Sequence, residues 1–451
     1  MPLSPARRAA FEILRRVAEE SAYASSLLAT TDERLRGDDR GLCHELVLGV
    51  LRRQLWLDRL IEHFGNRRLD KIDLPVKLAL RLGLYQLRFL SRIPASAAVN
   101  ESVNLVGAAG LRSASGFANA VLRRATREPD YDPTSGVSDP IERLAIETSH
   151  PTWLLERWSR ALGLEQAGAL ARANNEPGPV VFRLTAKTIS DDDGAKPIIE
   201  ELSASGLEVQ PSKVAPNSWR VSGHRPALLR KFIDAGLIYL QDEASQLVAH
   251  FLDAQGADRV LDVCAAPGSK ATLIAALEPR ATIVGVDLYE HRLRTLRELA
   301  AAQGNNSIEL AVADATGVLP FANASFDRVL VDAPCSGTGT LRRNPEIRWR
   351  LNHSDLAELS TKQKRIIAQA AQMVRPGGRL LYSTCSLEPE ENEAVVEAFL
   401  REQSAFDQLS LPNLNIPGQG ADLLSPTGAI RTWPHRHDVD GFFMIAFQRR
   451  S

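Results

Sequence analysis

The sequence predicts a multidomain protein: an all-α front, a small α+β module, and a C-terminal α/β domain on a mostly parallel sheet. Three observations predict it. Residues 1 to about 128 carry apolar positions at helical spacing, with no strand pattern. Between residues 180 and 233, short β-type runs alternate with helical ones. From Asp258 onward, apolar strands separated by helical segments repeat, the pattern of a sheet covered on both faces. A length of 451 residues accommodates several domains, and 44% hydrophobic residues give each one a core.

In the front, Ala10, Ile13, Leu14 and Val17 share one helical stripe, and Leu46, Val47, Val50 and Leu51 another. Leu78, Leu82, Leu84, Tyr85 and Leu87 continue the pattern. Breaks are expected at Gly37-Asp38-Asp39, Gly65-Asn66 and Ile93-Pro94. The Pro- and Asp-rich stretch from Glu128 to Gly136 reads as a linker. A further helical stretch opens at His150-Pro151 and runs to about Asn175. Val180–Leu184, Leu207–Val209 and Trp219–Val221 read as strands, and Ile198–Ser203 and Leu228–Ile233 as helices. This β-α-β-β-α order resembles a ferredoxin-like or RNA-recognition-type module. The expected domains are 1–135, 140–240 and 241–451.

Charge is unevenly spread. Residues 1–128 hold 21 Lys+Arg against 14 Asp+Glu, whereas the remainder holds 33 against 41. A basic front beside an acidic back suits a polyanion-binding module joined to something else. No apolar run approaches the roughly 18–20 residues that span a bilayer, and the start of the chain carries no apolar signal core. Four cysteines without a CxxC pair argue against a disulfide framework or a zinc cluster. The expectation is a cytoplasmic protein that needs no metal.

In a parallel sheet, ligands sit at the carboxyl ends of the strands. The strand Arg259–Val263 exits into Cys264-Ala265-Ala266-Pro267-Gly268-Ser269-Lys270, whose small residues let the backbone approach a ligand closely. It is neither a G-x-G-x-x-G loop nor a P-loop, which counts against NAD and ATP. The next strand ends on Asp287, 19 residues past Gly268, an offset at which an acidic residue commonly accepts ribose hydroxyls. Asp314 and Asp332 follow later strands. The four strand exits thus carry a carboxylate rim around a nucleoside-sized pocket. Any single aspartate could equally cap the next helix.

Cys335, in Asp332-Ala333-Pro334-Cys335-Ser336-Gly337-Thr338-Gly339, and Cys385, in Ser383-Thr384-Cys385-Ser386, both follow apolar strands. If those strands are neighbours, about 4.8 Å apart, the two thiols face one pocket. Carbon 5 of cytosine is too poor a nucleophile to be methylated directly. A thiolate adding at carbon 6 makes it an enamine that can attack a methyl donor. Asp332 is the candidate partner for the ring nitrogen, so it is claimed by both the cofactor rim and the base. Cys43 reads as core and Cys264 as a small lining residue.

These motifs together, with Gly441-Phe442-Phe443 near the C-terminus, resemble the RNA cytosine-C5 methyltransferases of the NOL/NOP2/Sun family. The helical front resembles a NusB-like RNA-binding domain, a combination typical of the bacterial Sun/Fmu-type enzymes of 16S ribosomal RNA. The resemblance implies a Rossmann-like S-adenosyl-L-methionine-dependent methyltransferase domain at the C-terminus. It implies Cys385 as nucleophile and Cys335 as an aid to release. It implies cofactor binding by Cys264, Ala265, Ala266, Pro267, Gly268, Ser269, Lys270, Asp287, Asp314 and Asp332. Ser269 departs from the family, which usually has a second glycine there.

The implied partner is 16S rRNA or a small-subunit assembly intermediate, with no membrane; the target cytosine and oligomeric state stay open. Four arginines and a tryptophan in Leu341–Arg350 suit phosphate contact and base stacking. Arg52, Arg53, Arg67, Arg68, Arg123 and Arg124 suit a phosphate-binding face on the front. Competing readings are a DNA cytosine-C5 methyltransferase, with Cys335 as nucleophile, and a non-catalytic RNA-binding or antitermination factor.

Overall fold

The helical periodicity of the front resolves into seven helices in a computed structural model that describes residues 3–31, 34–189, 193–223, 225–409 and 420–451. They are Pro5–Glu19, Ala24–Thr31, Gly37–Arg52, Gln54–Gly65, Leu74–Phe89, Ala95–Ala108 and Ser115–Arg127. The stripe residues Ile13, Leu14, Val17, Leu46, Val47, Val50, Leu78, Leu82 and Leu84 all enter one apolar core. Asn66, in a left-handed conformation, stops the fourth helix as expected. Gly37 opens a helix rather than breaking one, with Asp38 and Asp39 placed at its positive end. A buried Arg81–Asp58 pair, 2.7 and 2.8 Å, lies between two helices of this core.

The chain forms two compact units, and their boundaries cut across sequence order. The first comprises Met1–Pro177 together with Leu341–Leu351. The helices Pro140–Thr148, Thr152–Leu162 and Leu164–Ala173 therefore pack with the front, not with the α+β module that follows them.

The second unit, Gly178–Thr340 and Asn352–Ser451, holds two sheets. The smaller is antiparallel, in the order β2-β3-β1-β4: β1 Val180–Leu184, β2 Glu208–Pro211, β3 Ser218–Ser222 and β4 Ile238–Leu240. The helices Lys196–Ala204 and Pro226–Asp234 complete a ferredoxin-like module around Phe182, Leu202 and Phe232. β4 has no signal in the sequence, because three residues carry no periodicity.

The larger sheet contains β5 Arg259–Asp262, β6 Thr282–Asp287, β7 Ile308–Val312, β8 Phe326–Asp332, β9 Val374–Thr384, β10 Phe406–Gln408, β11 Ile430–Arg431 and β12 Phe443–Arg449. Its order is β10-β12-β9-β8-β5-β6-β7, with β11 paired to β12. Strands β5 to β9 are mutually parallel, and β12 runs antiparallel to β9. Alternate residues enter two separate cores: Val260, Leu330 and Leu381 one, Leu261, Val329 and Tyr382 the other. That is the doubly covered sheet expected from continuous apolar strands.

Strand order reverses between β5 and β8, so their carboxyl ends flank the crevice where such sheets bind ligands. Arg183 of β1 ties the small module to this edge. Its buried guanidinium donates to Gln241, to the Ser269 carbonyl at 3.0 Å and to Thr272 Oγ1 at 2.9 Å.

Candidate active site

The loop after β5 leaves no room for a side chain at Gly268. Gly268 has φ +112°, and a Cβ there would lie 2.7 Å from Leu296. Ser269 begins the helix Ser269–Leu277 and is not among the residues with positive φ, so its Cβ is accommodated. The departure from a second glycine therefore leaves the loop intact.

Asp287, at the end of β6, is buried and accepts from the Tyr289 amide at 3.0 Å. Arg292 pairs with it at 3.2 Å and also donates to the Ala266 carbonyl at 2.7 Å, stitching the loop to the second strand. Asp262 is buried at the end of β5 and accepts from the Cys264 amide. Burial, reinforced by the nearby charge of Asp332, pushes its carboxyl up to about 7. Asp314 is exposed and spends its carboxylate on the amide and hydroxyl of Thr316; those bonds hold its pKa below the usual range. It is thus a turn cap in this structure.

β8 and β9 are paired in parallel, with Asp332 opposite Ser383. The loops beyond them carry the two cysteines, and Gly339 donates to the Cys385 carbonyl at 2.9 Å. The two sulfurs are 3.3 Å apart and unbridged. The hydrogen bond to Cys385, then burial, pushes the Cys335 thiol well above its ordinary value. One proton is shared across the contact, and either sulfur can be its donor. Cys264 is different: burial and surrounding carboxylates push its thiol up, so it is an inert lining group.

Lys270 and Asp332 complete the cluster. Lys270 Nζ is 2.6 Å from Asp332 Oδ2, and Ser383 Oγ donates to Asp332 Oδ1 at 2.8 Å. Burial pulls the lysine down, but the carboxylate outweighs it and holds the ammonium above its ordinary value. Lys270 entered the sequence reading as part of the cofactor loop; here its charge is directed at Asp332. Its role was hidden because a lysine ending a loop motif has no spacing signal toward a strand 62 residues later.

The Gly441-Phe442-Phe443 motif also acquires a reason. Gly441 donates to the Gly339 carbonyl at 2.8 Å, and a Cβ on Gly339 would lie 2.0 Å from the Gly441 carbonyl oxygen. Two glycines let the Cys335 loop and the approach to β12 touch backbone to backbone.

The arginine-rich segment is a correction. Leu341–Leu351 belongs to the first unit, and Arg342, Arg348 and Arg350 are spent inside it. Arg348 is 1% exposed and donates to the Ser149 carbonyl at 3.1 Å and to Asn175 Oδ1 at 2.9 Å. Arg350 caps carbonyls of Val17, Ser21 and Ala22, and Trp349 donates to Leu51. Arg342 is buried as well. The segment is an internal strap, not an RNA platform. On the front, Arg52 donates to the Arg342 carbonyl and Arg124 pairs with Glu128, which removes them from the expected face. Arg67, Arg68 and Arg123 stay exposed.

Among the described residues, no His/Cys/Asp/Glu group could hold a metal, and no helix is long and apolar enough to cross a membrane.

Comparison with known proteins is consistent along the whole chain. The model of the 16S rRNA methyltransferase RsmB/F matches residues 249–448, that of the NusB family residues 4–127, and that of the RsmF/B-like ferredoxin-like domain residues 150–227. A probable ribosomal RNA small subunit methyltransferase B from Bacillus subtilis is 34% identical, with 100% of each chain covered. Its counterpart from Synechocystis is 36% identical over 98% of this chain and 99% of the relative. The crystal structure of PH0851 superposes with a TM-score of 0.83 at 26% identity, covering 100% of both chains. A methyltransferase homologue from Pyrococcus horikoshii covers 69% of this chain and 100% of its own, with a TM-score of 0.57 at 26% identity. With the full length of the chain matched and the strand-exit motifs in place, the chain belongs to the RsmB/F family of 16S rRNA methyltransferases.

Proposed function

We propose that the protein methylates carbon 5 of a cytosine in 16S ribosomal RNA, through a transient bond from Cys385 to carbon 6. The observation that carries this reading is the pair of unbridged thiols 3.3 Å apart, beside a Lys270–Asp332 ion pair. A ribosomal RNA methyltransferase that modified a ring nitrogen or a ribose would have no use for two thiols in contact.

The family's methyl donor is S-adenosyl-L-methionine, and the sheet edge fits it. Asp262, Asp287 and Asp332 crowd one edge, and their repulsion adds to burial in raising the carboxyl of Asp262. A cationic ligand relieves that repulsion. When bound, the sulfonium supplies an electrophilic methyl group. Asp287 would accept the ribose hydroxyls.

The chain's own residues then divide the work. The target base leaves its stack to enter the pocket. Cys385 adds to carbon 6, and the Lys270–Asp332 pair stabilises the charge this pushes onto the ring nitrogen. After methylation the carbon–sulfur bond breaks and Cys335, 3.3 Å from Cys385, relays the protons: it gives its own to the departing Cys385 sulfur and, as thiolate, takes the proton leaving carbon 5, so both thiols are restored.

The test is tritium release from 16S RNA carrying [5-³H]cytosine, with methyl incorporation measured in parallel. One tritium released per methyl incorporated, both lost in Cys385→Ala, is expected. Methyl incorporation without tritium release would place the methyl elsewhere and end the reading.

A further inference from the structure

Each of the two cysteines is followed by a serine, and the two serines meet on one buried carboxylate. Glu391 is fully buried. Its Oε1 accepts from the Ser336 amide at 2.8 Å and from Gln363 Nε2 at 2.9 Å. Its Oε2 accepts from Ser336 Oγ and from Ser386 Oγ, both at 2.5 Å. The two hydroxyl oxygens are themselves 3.0 Å apart. All four donors are neutral, so this is not an ion pair.

We propose that Glu391 is a positioning residue for the two-cysteine chemistry, holding the Cys335 and Cys385 loops in register by clasping Ser336 and Ser386. This rests on the reading of Cys385 and Cys335 given above.

The geometry explains why a carboxylate is needed. The loops leave neighbouring strands, and the contact that matters is between sulfur atoms one residue away from each serine. The loops also meet through the Gly339 amide on the Cys385 carbonyl and the Leu387 amide on Thr338 Oγ1, but those bonds lie beyond the cysteines, and Glu391 joins the residues next to the sulfurs. A carboxylate offers two oxygens with about four acceptor sites, and all of them are used here. A glutamine of the same shape has one acceptor oxygen. Its amide nitrogen would face either the Ser336 amide and Gln363, where N–H meets N–H, or the two serine hydroxyls, which would have to turn from donors into acceptors.

Glu391 is itself anchored. The Tyr382 hydroxyl donates to its carbonyl at 2.6 Å, and Gln363 also reaches the Pro334 carbonyl at 3.0 Å. Next to it, Asn392 donates to the Ser386 carbonyl and accepts from Thr384 Oγ1, fixing the other side of the Cys385 loop. Burying a carboxylate is costly unless its bonds are made, so the clasp is an all-or-none arrangement. Glu391 bonds the serines rather than either sulfur; after the hydrogen bond from Cys385 and burial, its charge also helps hold the Cys335 thiol up.

The experiment uses the full chain with 16S RNA. Glu391→Gln, Ser336→Ala and Ser386→Ala are compared by methyl transfer, by the rate of alkylation of Cys385 with iodoacetamide, and by calorimetry of S-adenosylmethionine. A displacement near 1 Å costs on the order of 100-fold in rate. Glu391→Gln should therefore lower kcat by about that factor, with KM and cofactor affinity within about twofold. It should also change the alkylation rate. The serine variants remove one hydroxyl each, leave the carboxylate its remaining donors, and should each lower kcat. Combined with Glu391→Gln they should add little further loss. Unchanged kcat in all three, with Cys385→Ala inactive, would overturn the clasp and leave the two-cysteine reading standing. An active Cys385→Ala would instead remove the reading on which the clasp rests. If Glu391→Gln does not fold, the serine variants decide: full activity in both refutes the proposal.

Discussion

Arg348→Ala separates a structural strap from an RNA contact. The guanidinium is buried, and two of its bonds, to Asn175 Oδ1 and the Ser149 carbonyl, have normal lengths of 2.9 and 3.1 Å. Its contacts at 3.3 and 3.4 Å to Asn174 and Thr148 count for little, because Thr148 keeps a bond from Asn175. Two charge-assisted bonds at about 1.5–3 kcal/mol each give a loss of about 3–6 kcal/mol. Burial pulls the Arg348 pKa down to about 9, which still leaves the side chain charged at neutral pH, so the bonds it makes are charge-assisted. Against a typical stability of about 5–15 kcal/mol, such a loss is large. For a unit of this size it lowers the melting temperature by on the order of 10 °C. Differential scanning calorimetry of the full chain measures it, with Arg348→Lys intermediate. A variant with unchanged melting temperature and tenfold weaker RNA binding would refute the strap and restore the contact role.

Other consequences concern the cofactor edge. Asp287→Ala removes the charged acceptor at the end of β6, and at about 1.5–3 kcal/mol per bond the affinity for S-adenosylmethionine should fall about tenfold or more. Calorimetry showing unchanged affinity in a folded variant takes Asp287 out of the pocket. Asp262 makes binding pH-dependent. Its folded pKa, about 7, lies above its unfolded value, so its contribution to stability is present below the unfolded value and lost as pH rises through about 7. A cation bound beside it favours the ionised form, so affinity should rise about tenfold between pH 6 and 8. A flat profile, or the same slope in Asp262→Asn, contradicts this origin.

The sequence revealed the site better than it revealed the domains. The carboxyl ends of β5, β6 and β8 were legible because apolar runs end there on Asp, Gly or Cys. A parallel sheet must present those ends together. The Cys335–Cys385 contact followed from two strands being neighbours, and the β8–β9 pairing supplies that.

What was illegible depends on long-range partners. Arg342, Arg348 and Arg350 look like any basic loop, and only the carbonyls and side chains of the front helices make them internal. Glu391 sits in the run Glu390-Glu391-Asn392-Glu393, which reads as a solvated helix start. Its burial comes from two serines whose proximity requires the fold. Asp314 shows the opposite case, a strand-exit aspartate that caps its own turn, as Asp often does.

The central claim is the order of events at the two sulfurs. Full chains carrying Cys385→Ala or Cys335→Ala are incubated with 16S RNA and S-adenosylmethionine, then resolved on a denaturing gel. If Cys385 attacks carbon 6 and Cys335 serves release, Cys335→Ala accumulates a denaturant-stable protein–RNA adduct, and Cys385→Ala forms none and transfers no methyl. Adduct with Cys385→Ala and none with Cys335→Ala would contradict the account and make Cys335 the nucleophile.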